Sequence, residues 1–297
     1  MTNPAQPLID LKPTKEFFIG IDSDGCAFDS MEIKHKECFI PAFIRYFGLQ
    51  AIAKYAREAA EFSNLYSMGR GANRFPAYLL ALDLAAQLAE VKKRKFEVPK
   101  MPALREWIAH EPKPGNPALE NAIKAASGET QAELQRVLDW SNSVNKAISK
   151  MVHDVPPFPF VRECLEKAAP KADMIVVSAT PGEALEREWA EHDLAKYVAV
   201  IAGQEMGKKA EHLKLAADGK YAPEKILMIG DAPGDMRAAR ANNALFFPVN
   251  PGAEDESWEQ LHTEAMDRFF AGTYKGAYED QLVKEFLAFL PEKPTWL

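Results

Sequence analysis

Two clusters of carboxylates sit where apolar runs end. Phe17-Phe18-Ile19-Gly20-Ile21 leads into Asp22-Ser23-Asp24-Gly25, and Ile226-Leu227-Met228-Ile229 leads into Gly230-Asp231, with Asp235 four residues on. Each run is short, rich in β-formers and bounded by glycine, which is the pattern of a buried strand. A carboxylate at the end of a buried strand is costly unless something pairs with it. The clusters lie about 200 residues apart in sequence, so one shared partner is the economical reading. A hard divalent cation suits an all-oxygen donor set.

The elements around these residues change rhythm along the chain. After the first strand, residues 29–152 read as almost entirely helical. Asp29 with Glu32 resembles a capping box opening a helix through Phe47, and Ile52, Tyr55, Ala59, Phe62 and Tyr66 keep helical spacing. Residues 76–95 are rich in Ala and Leu. Thr130 with Glu133 opens a helix whose Leu134, Val137, Leu138, Ser141, Val144, Ile148 and Met151 run in near-heptad order, the pattern of a helix packed in a core. Pro99, Pro102, Pro112, Pro114, Gly115 and Pro117 punctuate the middle. From Val155 onward helix and strand alternate: strands are expected at 174–177, 198–201, 226–229 and 244–247, with helices at 160–169, 182–192, 209–217 and 235–241. That alternation forms a doubly wound parallel sheet, an α/β fold whose ligand site lies at the carboxyl ends of the strands. The expected domains are a core from 1–29 and 153–250, an all-helical insertion at 30–152, and a helical extension at 251–297 docked on the core. Ser257 with Gln260 is expected to cap a helix in that extension.

Composition narrows the function classes. The 297 residues carry 36 basic and 43 acidic side chains, a net charge of −7, and are 47% hydrophobic. That balance argues against a nucleic-acid or anionic-membrane surface. No apolar stretch approaches the roughly 20 residues of a membrane span. The polar N-terminal stretch lacks the apolar core of a signal peptide. Cys26, Cys38 and Cys164 have no CxxC spacing, as expected of reduced thiols in a cytoplasmic protein.

Four motifs in order resemble the haloacid dehalogenase-like hydrolase superfamily, specifically its phosphatase and phosphoglucomutase-like branch with a helical cap domain after the first motif. They are Asp22-Ser23-Asp24-Gly25, Ser178 after Ile175-Val176-Val177, Lys208-Lys209 opening a helix, and Gly230-Asp231-Ala232-Pro233-Gly234-Asp235, together framing residues 16–250. The resemblance implies a Rossmann-like core, Mg²⁺ as cofactor, and phosphoryl transfer, which demands an in-line nucleophile, charge neutralisation and a proton for the leaving group. It makes Asp22 the nucleophile that forms an aspartyl-phosphate, and Asp24 the general acid and base. Asp24 also lends a backbone carbonyl to the metal. Asp231 becomes the acidic metal ligand, with Asp235 as a further ligand or the holder of a metal-bound water. Ser178 and a lysine are implied to hold the phosphoryl oxygens. Lys209, with Leu213 four residues on, fits the family spacing better than Lys208, and both stay open. Thr180 is a further candidate for substrate binding.

In this family an aspartate at the Asp24 position points to phosphate-ester hydrolysis or transfer between sugar positions, and away from dehalogenation. A small phosphorylated metabolite is the expected substrate, since a helical cap can close over the site and exclude water. A phosphomutase acting on a sugar phosphate shares every core motif, and a binding or regulatory protein on the same scaffold is the non-enzymatic alternative. Within the insertion, Arg70 and Arg74 flank glycine and asparagine in a turn-prone stretch and could present guanidinium groups to a phosphate or carboxylate. A solvated interhelical loop is the other reading. Asp29 reads as a helix cap, His35 as a surface or hinge residue. Cys26 stands where the family commonly has threonine, and reads as a small buried residue or an oxidation-sensitive thiol.

Overall fold

A computed structural model describes residues 3–297; residues 1 and 2 of the expected core segment lie outside the described residues. The chain divides into two compact units. One comprises the chain up to Met31 with Asp154–Leu290, the other Glu32–His153 with Pro291–Leu297.

The first unit is built on five parallel strands: β1 (Phe17–Ile21), β2 (Ala172–Val177), β3 (Val200–Ala202), β4 (Ile226–Gly230) and β5 (Leu245–Pro248), in spatial order β3-β2-β1-β4-β5. Strands β1 and β4 are buried at every position, as a parallel sheet covered on both faces requires. Alternate side chains enter opposite cores. Phe17, Ile19, Ile21, Val176, Ile229 and Phe247 face one core, with Leu165, Trp189 and Trp258 from covering helices. Phe18, Ile175, Val177, Met228 and Phe246 face the other, against Leu213, Ala239 and Phe286. Ile21 pairs with Val176 on one side and Ile229 on the other. The residues that leave these strands, Asp22, Ser178 and Asp231, therefore emerge along one rim of the sheet.

The β5 edge is covered from the C-terminal segment. Phe246 N–H donates to Glu279 Oε1 at 2.9 Å, and Tyr274 Oη donates to the Phe246 carbonyl at 2.7 Å. Arg240 Nη1 balances the buried Glu279 at 2.7 Å. This satisfies a strand edge that would otherwise offer unpaired backbone groups.

The helical unit has its own core, in which Trp140, Tyr78, Phe43 and Phe47 interlock; Tyr78 and Trp140 have ring centroids 4.9 Å apart. The stripe Leu134, Val137, Leu138, Ser141 and Val144 of helix Gly128–Met151 is buried within this unit, whereas Ile148 is only partly buried and Met151, also expected in the stripe, is exposed. Pro102 and Pro117 do more than break the chain. They stand in the first turns of helices Pro102–His110 and Asn116–Ala125, where a missing N–H costs nothing.

Several local expectations differ from the structure. The strand expected at 198–201 is Val200–Ala202, and the helix expected to open at Thr130 starts at Gly128. The helix after the first motif starts at Ser30, which leaves Asp29 at the expected cap position, but it does not run straight to Phe47: it passes through a π turn at Lys34–Phe39 before helix Ile40–Tyr46. Pro41 has no N–H to give the carbonyl four residues back, so the wider turn absorbs the missing bond. Ser257 does not cap a helix start. Helix Glu254–Gln260 begins three residues earlier, and the Ser257 hydroxyl donates to the Ala253 carbonyl at 2.7 Å while accepting the Asn250 N–H. Glu254, Asp255 and Glu256 place negative charge in the first turn instead. The segment 251–297 also divides: residues to Leu290 group with the sheet, whereas Trp296 packs on Phe62, centroids 5.6 Å apart, within the helical unit.

Candidate active site

Strand β1 delivers Asp22, whose N–H donates to the Ile229 carbonyl at 3.0 Å, so the residue is fixed by the sheet itself. Its Oδ1 accepts the Ser23 N–H at 2.8 Å, and its Oδ2 accepts from Lys209 Nζ. Lys209 opens the helix Lys209–Ala217 and also donates to Asp235 Oδ1 at 2.7 Å. Asp235 lies in the first turn of helix Pro233–Ala241, where its Oδ2 accepts the Ala232 N–H at 3.1 Å. It therefore serves both as a cap and as a member of the cluster.

Ligand oxygens of Asp22, Asp231 and Asp235 all lie within 4.8 Å of one another, and all three residues are buried. Burial, opposed by the Lys209 ammonium, pushes the Asp22 carboxyl well above its usual range, and Asp235 and Asp231 push it further. Burial likewise raises Asp235, with Lys209 opposing. Burial works against the Lys209 charge, but the surrounding carboxylates hold it protonated. Fully ionised, three carboxylates exceed one ammonium by two charges. Hard oxygen donors with that excess fit a divalent cation in both chemistry and charge.

Close approach of backbone makes this possible. A Cβ on Gly230 would sit 2.3 Å from the Asp235 Cβ, so only glycine lets the helix start return against the strand end. Gly230→Ala is expected to cost about 1–3 kcal/mol through overpacking, read as a lower urea midpoint. An unchanged midpoint would contradict this packing.

Asp24 is held apart from the cluster by hydroxyls: Ser30 Oγ donates to Oδ1, and Thr180 Oγ1 donates to Oδ2 at 2.6 Å. The loop that carries Asp24 is tied down by the Ala27 and Phe28 N–H groups, which donate to the Ser23 carbonyl at 2.9 and 3.1 Å. Beneath it Trp189 Nε1 donates to Ser23 Oγ at 2.9 Å, and Ser23 Oγ donates to Glu188 Oε2 at 2.8 Å. Ser178, buried at the end of β2, donates its N–H to the Ala202 carbonyl at 3.0 Å and accepts the Thr180 N–H on Oγ at 3.2 Å.

Of the residues singled out by sequence, Asp22, Lys209, Asp231 and Asp235 converge directly, and Asp24 and Ser178 are linked through Thr180. Thr180 was expected to contact substrate, but its hydroxyl is engaged by Asp24. Lys208 is an exposed N-cap whose backbone N–H donates to Glu211 Oε2 at 2.7 Å, and the lysine at the cluster is Lys209. Arg70 and Arg74 are engaged inside the helical unit. Arg70 is buried and its Nη1 donates to the Leu65 carbonyl at 3.1 Å, closing the end of helix Ala53–Leu65. Arg74 Nη1 donates to Ser141 Oγ at 3.0 Å and Asn145 Oδ1 at 2.8 Å, and its guanidinium lies 4.8 Å from the Phe39 ring centroid. Burial lowers Arg74 to about 10, still charged at neutral pH. His35 stacks on Phe39 at 4.8 Å. Cys26 is fully buried, and burial together with the acidic cluster pushes its thiol up, so it is no nucleophile.

Sequence reasoning missed Ser30, Ser23, Glu188 and Trp189. Serines near a turn carry no signal of their own. Ser23 lies between two aspartates, and its turning away from them follows from the extended backbone there.

A family model described as haloacid dehalogenase-like hydrolase matches residues 110–249. Comparison with curated proteins gives no significant match. Solved structures similar to this chain include a hydrolase of the haloacid dehalogenase-like family from Streptococcus pneumoniae (14% identity, covering 85% of this chain and 93% of that one, TM-score 0.40). A predicted phosphoglycolate phosphatase from Haemophilus somnus is 16% identical over 80% of this chain and 86% of its own, with TM-score 0.43. CbbY from Rhodobacter sphaeroides, solved in complex with phosphate, is 15% identical over 80% and 87%, with TM-score 0.42. At these TM-scores they are likenesses only.

Proposed function

We propose that the chain is a divalent-cation-dependent phosphatase acting on a small phosphorylated metabolite through an aspartyl-phosphate on Asp22. The observation that carries this reading is the pairing of Asp22, buried and held by Lys209, with Asp24 two residues on, held separately by two hydroxyls. One carboxyl is suited to attack and the other to move a proton.

In the first half-reaction an Asp22 oxygen attacks phosphorus, the bond from phosphorus to the ester oxygen breaks, and Asp24 gives its proton to that oxygen. In the second, Asp24 takes a proton from water as the water oxygen attacks phosphorus, and the bond to Asp22 breaks to release phosphate. The Lys209 ammonium and the Ser178 hydroxyl neutralise the phosphoryl oxygens. Asp22, Asp231 and Asp235, with the Asp24 backbone carbonyl, would hold Mg²⁺, which when bound adds positive charge against those oxygens. An insertion of over 100 residues directly after the acid loop favours a small substrate over a protein. Three free buried thiols support a reducing, cytoplasmic setting. Among the described residues no helix is long and apolar enough to cross a membrane.

A panel of phosphomonoesters assayed for phosphate release, with and without EDTA, tests the activity; a phosphorus NMR time course separates hydrolysis from transfer. Cation binding has an independent readout. Mg²⁺ at about 100 times its Kd is expected to stabilise the fold by about 2.7 kcal/mol, seen as a raised Tm, and Asp231→Asn is expected to remove most of that rise. A Tm indifferent to Mg²⁺ would count against the cation site.

A further inference from the structure

Every polar group of Thr180 is engaged, each with a different part of the site. Its hydroxyl donates to Asp24 Oδ2 at 2.6 Å, its N–H donates to Ser178 Oγ at 3.2 Å, and its carbonyl accepts the Gln204 N–H at 3.0 Å. By accepting that N–H, Ser178 keeps its own hydroxyl proton for another acceptor. Gln204 belongs to the loop that enters the Lys209 helix, and that loop is fastened again nearby. Gly182 N–H donates to Glu205 Oε2 at 3.0 Å, and Gly203 packs so closely that a Cβ on it would sit 2.5 Å from the Gly182 nitrogen. The loop after β2 and the loop after β3 are thus stapled side by side, and Thr180 is where the staple meets the acid loop.

We propose that Thr180 is a positioning residue for the proton-transfer step. It fixes one oxygen of Asp24 while Ser30 fixes the other, and the staple to Gln204 and Glu205 holds that carboxyl in register with Ser178 and Lys209. This rests on the phosphatase reading, in which Asp24 protonates the leaving oxygen. A hydroxyl that only filled a turn would be replaceable without regard to the leaving group. One that aims the acid matters most when the leaving group needs a proton.

The test compares wild type, Thr180→Val and Thr180→Ser on two monoesters: p-nitrophenyl phosphate, whose leaving group departs unprotonated, and the alkyl phosphate turned over best in the panel. For Thr180→Val, kcat/KM is expected to fall about 10–100-fold on the alkyl ester, while the aryl ester loses no more than about 3-fold and Thr180→Ser recovers most of the loss. Glu205→Gln, which weakens the staple without touching Asp24, is expected to show a smaller loss with the same leaving-group bias; it carries the test if Thr180→Val does not fold. Equal losses on both esters, or none, overturn the assignment of Thr180 and leave the phosphatase reading standing. A wild-type protein that releases phosphate from neither ester overturns both.

Discussion

Asp22→Asn is expected to lower phosphate release at least about 10⁴-fold while leaving the fold intact. The amide keeps the shape of the carboxyl but cannot attack phosphorus, so the covalent route closes, leaving what binding and charge neutralisation provide. Stability points the other way. Burial and the neighbouring carboxylates already disfavour the Asp22 charge, and Lys209 retains Asp235 as a partner at 2.7 Å. Asp22→Asn should therefore unfold at a urea concentration no lower than wild type. Retained activity would remove Asp22 as the nucleophile. Activity lost together with a large fall in midpoint would leave the loss attributable to unfolding.

Lys209→Met carries the second large effect, and here activity and stability fall together. The lysine side chain is 18% exposed, and its partners Asp22 and Asp235 are 6% and 0% exposed. Removing one member of a buried ion pair leaves uncompensated charge, at a cost of about 3–5 kcal/mol. In EDTA that loss should be close to full, because two carboxylates then face Asp231 with no cation of any kind. Saturating Mg²⁺ should return part of it, since the ion supplies positive charge to the same oxygens. Phosphate release should drop by about 10²–10³-fold even in Mg²⁺, the scale of losing one fixed charge at the transferring group. A variant as stable as wild type in EDTA would mean that Lys209 does not compensate the cluster.

The contrast between these two substitutions shows where sequence is informative. The acidic ends of β1 and β4 are legible because a carboxylate after a fully apolar run is physically anomalous. Ser178 and Lys209 become legible only through their order between those ends. The expected helix 209–217 matches the observed Lys209–Ala217, and the alternation of strand and helix anticipates a parallel sheet whose spatial order it leaves open. Side-chain partners are less accessible. Thr180 reads as a group turned toward a ligand and Arg74 as either that or part of a solvated loop, and both are engaged by the protein through residues distant in sequence: Asp24 for one, Ser141 and Asn145 for the other. No local pattern encodes such pairs. The Ser257 reading failed for a related reason. Three acidic residues ahead of it favour an earlier helix start, and a serine inside a first turn can bond to the carbonyl four residues back as well as it can cap. Pro291 directly after Leu290 marks where the last helix stops, but a proline does not tell that Trp296 beyond it finds its apolar neighbours in the helical unit.

Phosphate is expected to pass through Asp22 on its way to water. Asp24→Asn should still accept a phosphoryl group from p-nitrophenyl phosphate, whose leaving group departs unprotonated, but should fail to activate the water that removes it. Acid quench of Asp24→Asn after mixing with Mg²⁺ and p-nitrophenyl phosphate, followed by peptide mass spectrometry, reads this directly. The expected result is one phosphoryl group on the peptide containing Asp22, absent when Asp22→Asn is added to the same chain. Sustained turnover with no adduct on that peptide, or an adduct that persists in the Asp22→Asn background, would contradict the account.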